Sequence, residues 1–171
     1  MTPQLSATAP FDREANRVDQ FSCGEASLDR WLIAYAGQNQ QRDAARTFVT
    51  TEPDGKVAGY YTLVAAQVEH EQATTTVRQG LSRDFPIPVA LIARLSVTMQ
   101  HQGAGLDRSL LLDALQRVLR ASEQLAVRAI TVDALDDRAA SFYRRFGFEP
   151  SALTPRTLMI SLDAVRRTLH P

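Results

Sequence analysis

Hydrophobic positions along the chain switch between two periods, and the switches outline a fold. In LDRWLIAY, Leu28, Trp31, Leu32 and Tyr35 fall at i, i+3, i+4 and i+7, the spacing that gathers side chains on one face of a helix. Ser22 and Glu25, just ahead of it, have the separation of a capping box. In TFVTTEPDGKVAGYYTLVAAQV, two strand-like runs flank Pro53-Asp54-Gly55-Lys56, and that turn chemistry predicts a hairpin. Residues 71–85 are polar, with a short helix expected in a loop. Pro86 and Pro88 then lead into VALIARLSV, a nearly continuous apolar run of the kind found in strands covered on both faces.

From Leu106 to about Glu123 the period is helical again, with Leu106, Leu110, Leu111, Ala114, Leu115, Val118 and Leu119 on one side. VRAITVDA (127–134) reads as a second buried strand. Asp136 and Asp137 favour a helix start before RAASFYRRF, and Gly147 supplies its stop. RTLMISL (156–162) is a last strand and DAVRRTLH a short closing helix. Residues 1–10, with Pro3 and Pro10, read as a loose tail, which leaves 11–171 as one domain. Strand, helix, strand, helix, strand predicts an α/β fold, a mixed sheet with helices on its faces.

Composition narrows the function. With 171 residues, 44% hydrophobic and 22% charged, the chain can bury a core as one globular domain. Formal net charge is zero, so attraction of the whole molecule to nucleic acid or membrane is not expected, although local patches remain open. Lys56 is the only lysine; arginine, suited to bidentate phosphate contact, supplies the other basic charges. The single cysteine, Cys23, rules out an internal disulfide and a cysteine-based zinc site. His70, His101 and His170 lack ligand spacing, so no metal is expected. MTPQLSATAPF has neither a charged nor an apolar signal region, and no run approaches the ~20 apolar residues of a membrane span. The expectation is a cytoplasmic protein without membrane contact.

The stretch QHQGAG, between an apolar strand and a helix, carries the chemistry. A dinucleotide fingerprint would need a third glycine where Arg108 stands, and no P-loop string exists. One open reading is that the glycines merely end a strand. The other is an anion site: glycine lets the backbone approach a ligand, and the turn runs into a helix N-terminus whose free N–H groups attract phosphate. Gln102, Gly103, Ala104, Gly105 and Leu106 would then present their amides to a diphosphate.

The Q-x-x-G-x-G string of Gln100, Gly103 and Gly105 resembles the pyrophosphate motif of GCN5-related N-acetyltransferases (GNAT), and the element order from Ile92 to Pro150 agrees. FSCGEASLDRWL, ARLSV, VRAITVDALDDRAASFYRRFGF and RTLMISL further resemble the acetyltransferase toxins of type II toxin–antitoxin pairs, over roughly residues 11 to 162. The resemblance implies a single GNAT-like domain whose mostly antiparallel sheet has splayed central strands and helices on both faces. It implies acetyl-coenzyme A as co-substrate, aminoacyl-tRNA as acceptor, a ribbon-helix-helix antitoxin as partner, operator DNA bound only through that antitoxin, and a homodimer. Thr98 and Asp107 depart from the pattern, standing where Asp and Gly are usual; Asp107 facing phosphate would be mildly repulsive.

What the resemblance implies for single residues follows. Leu95, Ser96 and Val97 on one strand, Ala134 on the next, and Phe142 would line the cofactor beside the amides of 102–106. A backbone N–H near Val97 would polarise the thioester carbonyl. Tyr143 would protonate the departing thiolate, since a phenol of pKa ≈ 10 keeps its proton at neutral pH. From helical pattern alone, Phe142 and Tyr143 read equally well as core aromatics. Glu69, His70 and Glu71 read as a solvated loop rather than a general base. Arg30, Arg42, Arg46, Arg83, Arg144 and Arg145 are candidates for tRNA phosphate contacts, each alone also explicable as a surface residue. Other readings are a GNAT enzyme for a protein or small-molecule amine, or a coenzyme A-binding module without turnover.

Overall fold

The computed structural model describes residues 4–170; residues 1–3 of the expected tail lie outside them. Its strands are β1 (Ala9–Pro10), β2 (Arg46–Thr51), β3 (Val57–Val68), β4 (Ile87–Val97), β5 (Ala129–Asp133), β6 (Glu149–Pro150) and β7 (Thr157–Ser161). They form one sheet in the order β1-β2-β3-β4-β5-β7-β6. β4 and β5 run parallel, while β1/β2, β2/β3, β5/β7 and β6/β7 are antiparallel. A parallel pair needs a crossover, and α4 (Leu106–Ala121) lies in that connection. The helices are completed by α1 (Ala26–Arg30), α2 (Ala36–Gln41), α3 (Thr75–Arg78), α5 (Asp137–Arg144) and α6 (Leu162–Leu169). None among the described residues is long and apolar enough to cross a membrane.

Two compact units divide the chain: the first reaches Val64 and resumes at Ala93–Ala114, the second takes Ala65–Ile92 and continues from Leu115. In the first unit the predicted hairpin forms, and Gly55 takes the positive φ its turn requires. Thr47, Phe48, Val49 and Thr50 are all buried, so β2 is covered on both faces. Leu32 and Ala36 join Phe11, Phe21, Val49, Val57 and Tyr60 in a core cluster. The helix expected near Leu28 is not regular. A π-helical turn, Trp31–Tyr35, joins α1 to α2, and the Ala36 N–H reaches back five residues to Trp31 O.

Two local expectations fail here. Helix α1 starts after Glu25, which caps it without a side-chain bond, so Ser22 stands too far upstream for a capping box. Asp29 Oδ1 turns back instead to accept the Cys23 N–H at 2.9 Å. From Ser6 onward the expected tail is also tied down. The Ser6 N–H donates to Thr51 O at 2.9 Å, Thr50 Oγ1 donates to Ser6 O at 2.7 Å, and Ala9–Pro10 adds an edge strand to β2. Proline is tolerated there because an edge position can do without its N–H.

The second unit has its own core of Ala73, Val77, Ile87, Val89, Ala129 and Met159. Side-chain caps set its helix starts: Thr74 Oγ1 accepts from Val77 N, Asp136 Oδ1 from Ala139 N, and Ser161 Oγ from Ala164 N. Gly147, at φ +96°, closes the turn after α5.

One glycine fixes how closely α4 approaches the sheet. A Cβ on Gly59 of β3 would lie 2.8 Å from Leu110 Cδ1 and 3.2 Å from Ser96 O. Gly59→Ala should therefore destabilise the fold by about 1–3 kcal/mol through overpacking. The urea midpoint should fall with an unchanged slope; an unchanged midpoint would show that α4 has slack here.

Candidate active site

In the first unit, the end of β4 is sewn to the segment before α1. The Met99 N–H and Thr98 Oγ1 both donate to Ser22 O, at 2.8 and 3.1 Å. Gln102 Nε2 donates twice, to Val97 O at 2.9 Å and Cys23 O at 2.8 Å. The hairpin turn braces the same loop from another direction: Lys56 Nζ donates to Gln100 Oε1 at 3.3 Å, and His101 Nε2 lies 3.3 Å from Glu52 Oε1 with both side chains largely buried. Sequence reasoning gave Gln102 an amide role only. Its side chain is the link it missed, because nothing local marks a glutamine as a bridge between distant carbonyls.

Beyond this braced turn the backbone opens. Gly103 and Gly105 have φ of +81° and +85°, and a Cβ on either would meet nothing within 4 Å. None of the main-chain N–H groups from Gly103 to Asp107 has an acceptor among the described residues. They stand at the N-terminus of the 16-residue helix α4, whose dipole adds positive potential. This arrangement fits the diphosphate of coenzyme A, using backbone donors in place of a lysine. Thr98, where Asp is usual, is absorbed by its bond to Ser22. Asp107 is exposed and its Oδ1 accepts the Arg108 N–H at 2.8 Å, leaving a carboxylate beside the anion site.

Leu95, Ser96 and Val97 precede this turn. Ser96 is buried, with its hydroxyl beside the Cys23 thiol. Burial pushes the nearby Cys23 thiol up, with the Ser96 hydroxyl opposing the shift only in part.

In the second unit, Ala134 follows β5, buried, its N–H bonded to Arg156 O at 2.8 Å. Tyr143 on α5 is buried between Phe142 and Phe148, with ring centroids 5.2 and 5.4 Å away. Desolvation holds its phenol well above the ordinary tyrosine range, so it is a neutral acid at any physiological pH. No described residue takes its hydroxyl proton. The ring therefore serves the core, as one of the two readings of the helical pattern expects, and the hydroxyl stays uncommitted.

The arginines are dispersed. Arg30, Arg42 and Arg46 are exposed in the first unit; Arg83, Arg144 and Arg145 are exposed in the second. Arg46 is engaged locally, by Asp43 Oδ1 at 2.6 Å and Gln40 O at 2.9 Å. The Arg145 guanidinium sits 5.9 Å from the half-buried Phe142 ring. Glu69 and Glu71 are exposed and His70 half-exposed.

A mixed sheet that carries an amide-lined glycine turn between a central strand and a long helix suits an acyltransferase that uses coenzyme A thioesters. Residues 43–150 match the acetyltransferase (GNAT) domain family, and the chain belongs to it as an N-acetyltransferase. It is 40% identical over 153 residues to the tRNA-acetylating toxin of Mycobacterium tuberculosis (strain ATCC 25618 / H37Rv), covering 90% of each chain. Among solved structures it resembles AtaT complexed with acetyl-methionyl-tRNAfMet, at TM-score 0.88 and 23% identity over 97% of this chain and 99% of that one. It also resembles an AtaT tyrosine-to-phenylalanine mutant bound to acetyl-CoA and the C-terminus of the antitoxin AtaR, at TM-score 0.83 and 22% identity over 98% and 99%.

Removing the carboxylate beside the amide turn separates two effects. Asp107→Asn should tighten acetyl-CoA about 2- to 5-fold at low salt and lower the stability of the free protein by about 0.3–1 kcal/mol, since Asp107 also complements the helix dipole. Calorimetric titration and thermal melts measure the pair. Unchanged affinity would show that Asp107 points away from the anion.

Proposed function

We propose that this chain acetylates the α-amino group of aminoacyl-tRNA and so blocks translation, acting as the toxin of a toxin–antitoxin pair. The observation that carries the reading is the 40% identity to a tRNA-acetylating toxin across 90% of both chains. The amide turn supports the co-substrate half of it. Acetyl-CoA, when bound, supplies the acyl group as a thioester.

The residues divide the work. N–H groups from Gly103 to Leu106, with Gln102 fixing the turn, hold the diphosphate. The main chain of Leu95, Ser96 and Val97 lines the pantetheine arm, and the family resemblance assigns Ala134 and Phe142 to the same cofactor. A main-chain N–H near Val97 stabilises the negative charge that develops on the carbonyl oxygen. Tyr143 Oη holds the proton that the leaving sulfur takes up. No general base is required, because a free α-amino group with pKa ≈ 7.7–8.0 is partly neutral at pH 7 and an esterified one more so. Arg30, Arg42, Arg46, Arg83, Arg144 and Arg145 steer the polyanionic acceptor. The protein works in the cytoplasm as a homodimer, is held inactive by a ribbon-helix-helix antitoxin, and reaches operator DNA only through that partner.

Transfer of labelled acetyl to aminoacyl-tRNA, compared with free amino acids and polyamines, tests the reading; a preference for polyamines would refute it. Within that assay, Tyr143→Phe should keep fold and acetyl-CoA affinity and lose about 100-fold or more in single-turnover rate. A wild-type rate would remove Tyr143 from the chemistry.

The pH profile supplies an independent check. Burial favours the neutral phenol, so its folded pKa lies above the unfolded value near 10; the stability this contributes is present below about pH 10 and lost as pH rises through the folded pKa. The transfer rate should therefore rise as the acceptor amine loses its proton and then stay level to about pH 10. A falling limb centred below pH 9 would assign the donated proton to another group.

A further inference from the structure

We infer that Arg94, Trp31 and Tyr35 form the subsite for the single-stranded 3′ end of the acceptor RNA, Arg94 holding a phosphate and Tyr35 stacking on the terminal base; the inference rests on the tRNA reading above. Arg94 lies on β4, half-buried, with its guanidinium carbon 3.9 Å from the Trp31 ring centroid. No described carboxylate pairs with it. By contrast, Arg17, Arg46 and Arg166 each reach an aspartate within 3.2 Å. A half-buried cation covered by a π face keeps its in-plane N–H donors for an acceptor from outside, and a phosphate matches that fork.

The indole is fixed from beneath. Trp31 Nε1 donates to Thr62 Oγ1 at 3.2 Å, and Thr62 shares a 2.9 Å bond with Thr47; both threonines are fully buried. Trp31 opens the π-helical turn and Tyr35 closes it, and such turns concentrate at functional sites. The two rings lie 6.2 Å apart at 32°, and Tyr35 is 47% exposed. Guanidinium and indole are thus in face contact, and the tilted phenol ring lies next to the indole, open to solvent. Unpaired bases bind to such aromatic platforms, and arginine beside them takes the backbone charge.

The same face continues along β4. Along a strand, alternate side chains share a face, so Ser96 stands with Arg94 while Leu95 and Val97 face the other way. With Arg94 unpaired and Arg30 exposed on the adjoining helix, the face suits a polyanion better than an apolar peptide.

The experiment is anisotropy titration of the full-length protein with a labelled single-stranded RNA hexamer, and with the same sequence as a blunt duplex, over a salt series. The single strand should bind more tightly than the duplex. Tyr35→Ala should weaken its binding about 10-fold and Tyr35→Phe less than 2-fold. Arg94→Gln should reduce the salt slope by about 1, with Arg94→Lys restoring it. The same variants should raise KM for aminoacyl-tRNA without raising that for acetyl-CoA. Wild-type binding by Tyr35→Ala and Arg94→Gln, or equal affinity for the duplex, overturns the subsite. Loss of antitoxin binding in Tyr35→Ala with RNA binding intact reassigns the stack to a protein partner and overturns it too. Hexamer binding that shows these effects without acetyl transfer to aminoacyl-tRNA overturns the proposed function and leaves the subsite standing.

Discussion

The double hydrogen bond from Gln102 Nε2 to Val97 O and Cys23 O is the constraint on which the site depends. A glycine turn free to choose its conformation would fold its own N–H groups onto nearby carbonyls, since unpaired backbone donors are costly wherever water is scarce. Here the preceding residues are held by Gln102, Thr98, Lys56 and Glu52, so the chain enters Gly103 in a direction that denies it that closure. Gly103 and Gly105 then take positive φ. The openness of the turn is therefore a consequence of bonds made by its neighbours, and in the proposed reading those groups never touch the ligand.

The parts of the fold visible in the sequence are those whose signal is local. The hairpin around Gly55, the apolar face of α4 and the caps at Asp136 and Ser161 are decided within a few residues of themselves. What escaped reading is set at long range or by small changes of period. The β1 edge depends on Ser6 meeting Thr50 and Thr51 across the chain. The π-helical turn differs from an α-helix by one hydrogen bond, and i, i+3, i+4, i+7 spacing fits both.

The candidate site divides along the same line. Gly103 and Gly105 were legible because only glycine adopts that backbone freely. Tyr143 stayed ambiguous because a ring that packs and a hydroxyl that reacts leave the same mark on a helical pattern. Arg94 was hidden inside ARLSV, where an apolar run masks one charged residue whose partner is an indole some sixty positions earlier.

Geometry within β4 links the two ligand roles. A strand rises about 3.3 Å per residue, so Arg94 and Val97 are about 10 Å apart along one rigid ladder. In the proposed reading the thioester lies against the main chain of Val97 and the nucleotide end of the acceptor at the Arg94 side chain. An aminoacyl ester has to bridge a distance of that order between its terminal ribose phosphate and its α-amine. A shift in β4 register by one residue would turn Arg94 to the other face of the sheet, away from Trp31. In that reading, fixing the strand end through Thr98 and Gln102 does more than shape the glycine turn, because it sets the reach between the phosphate that locates the acceptor and the carbon that the amine attacks.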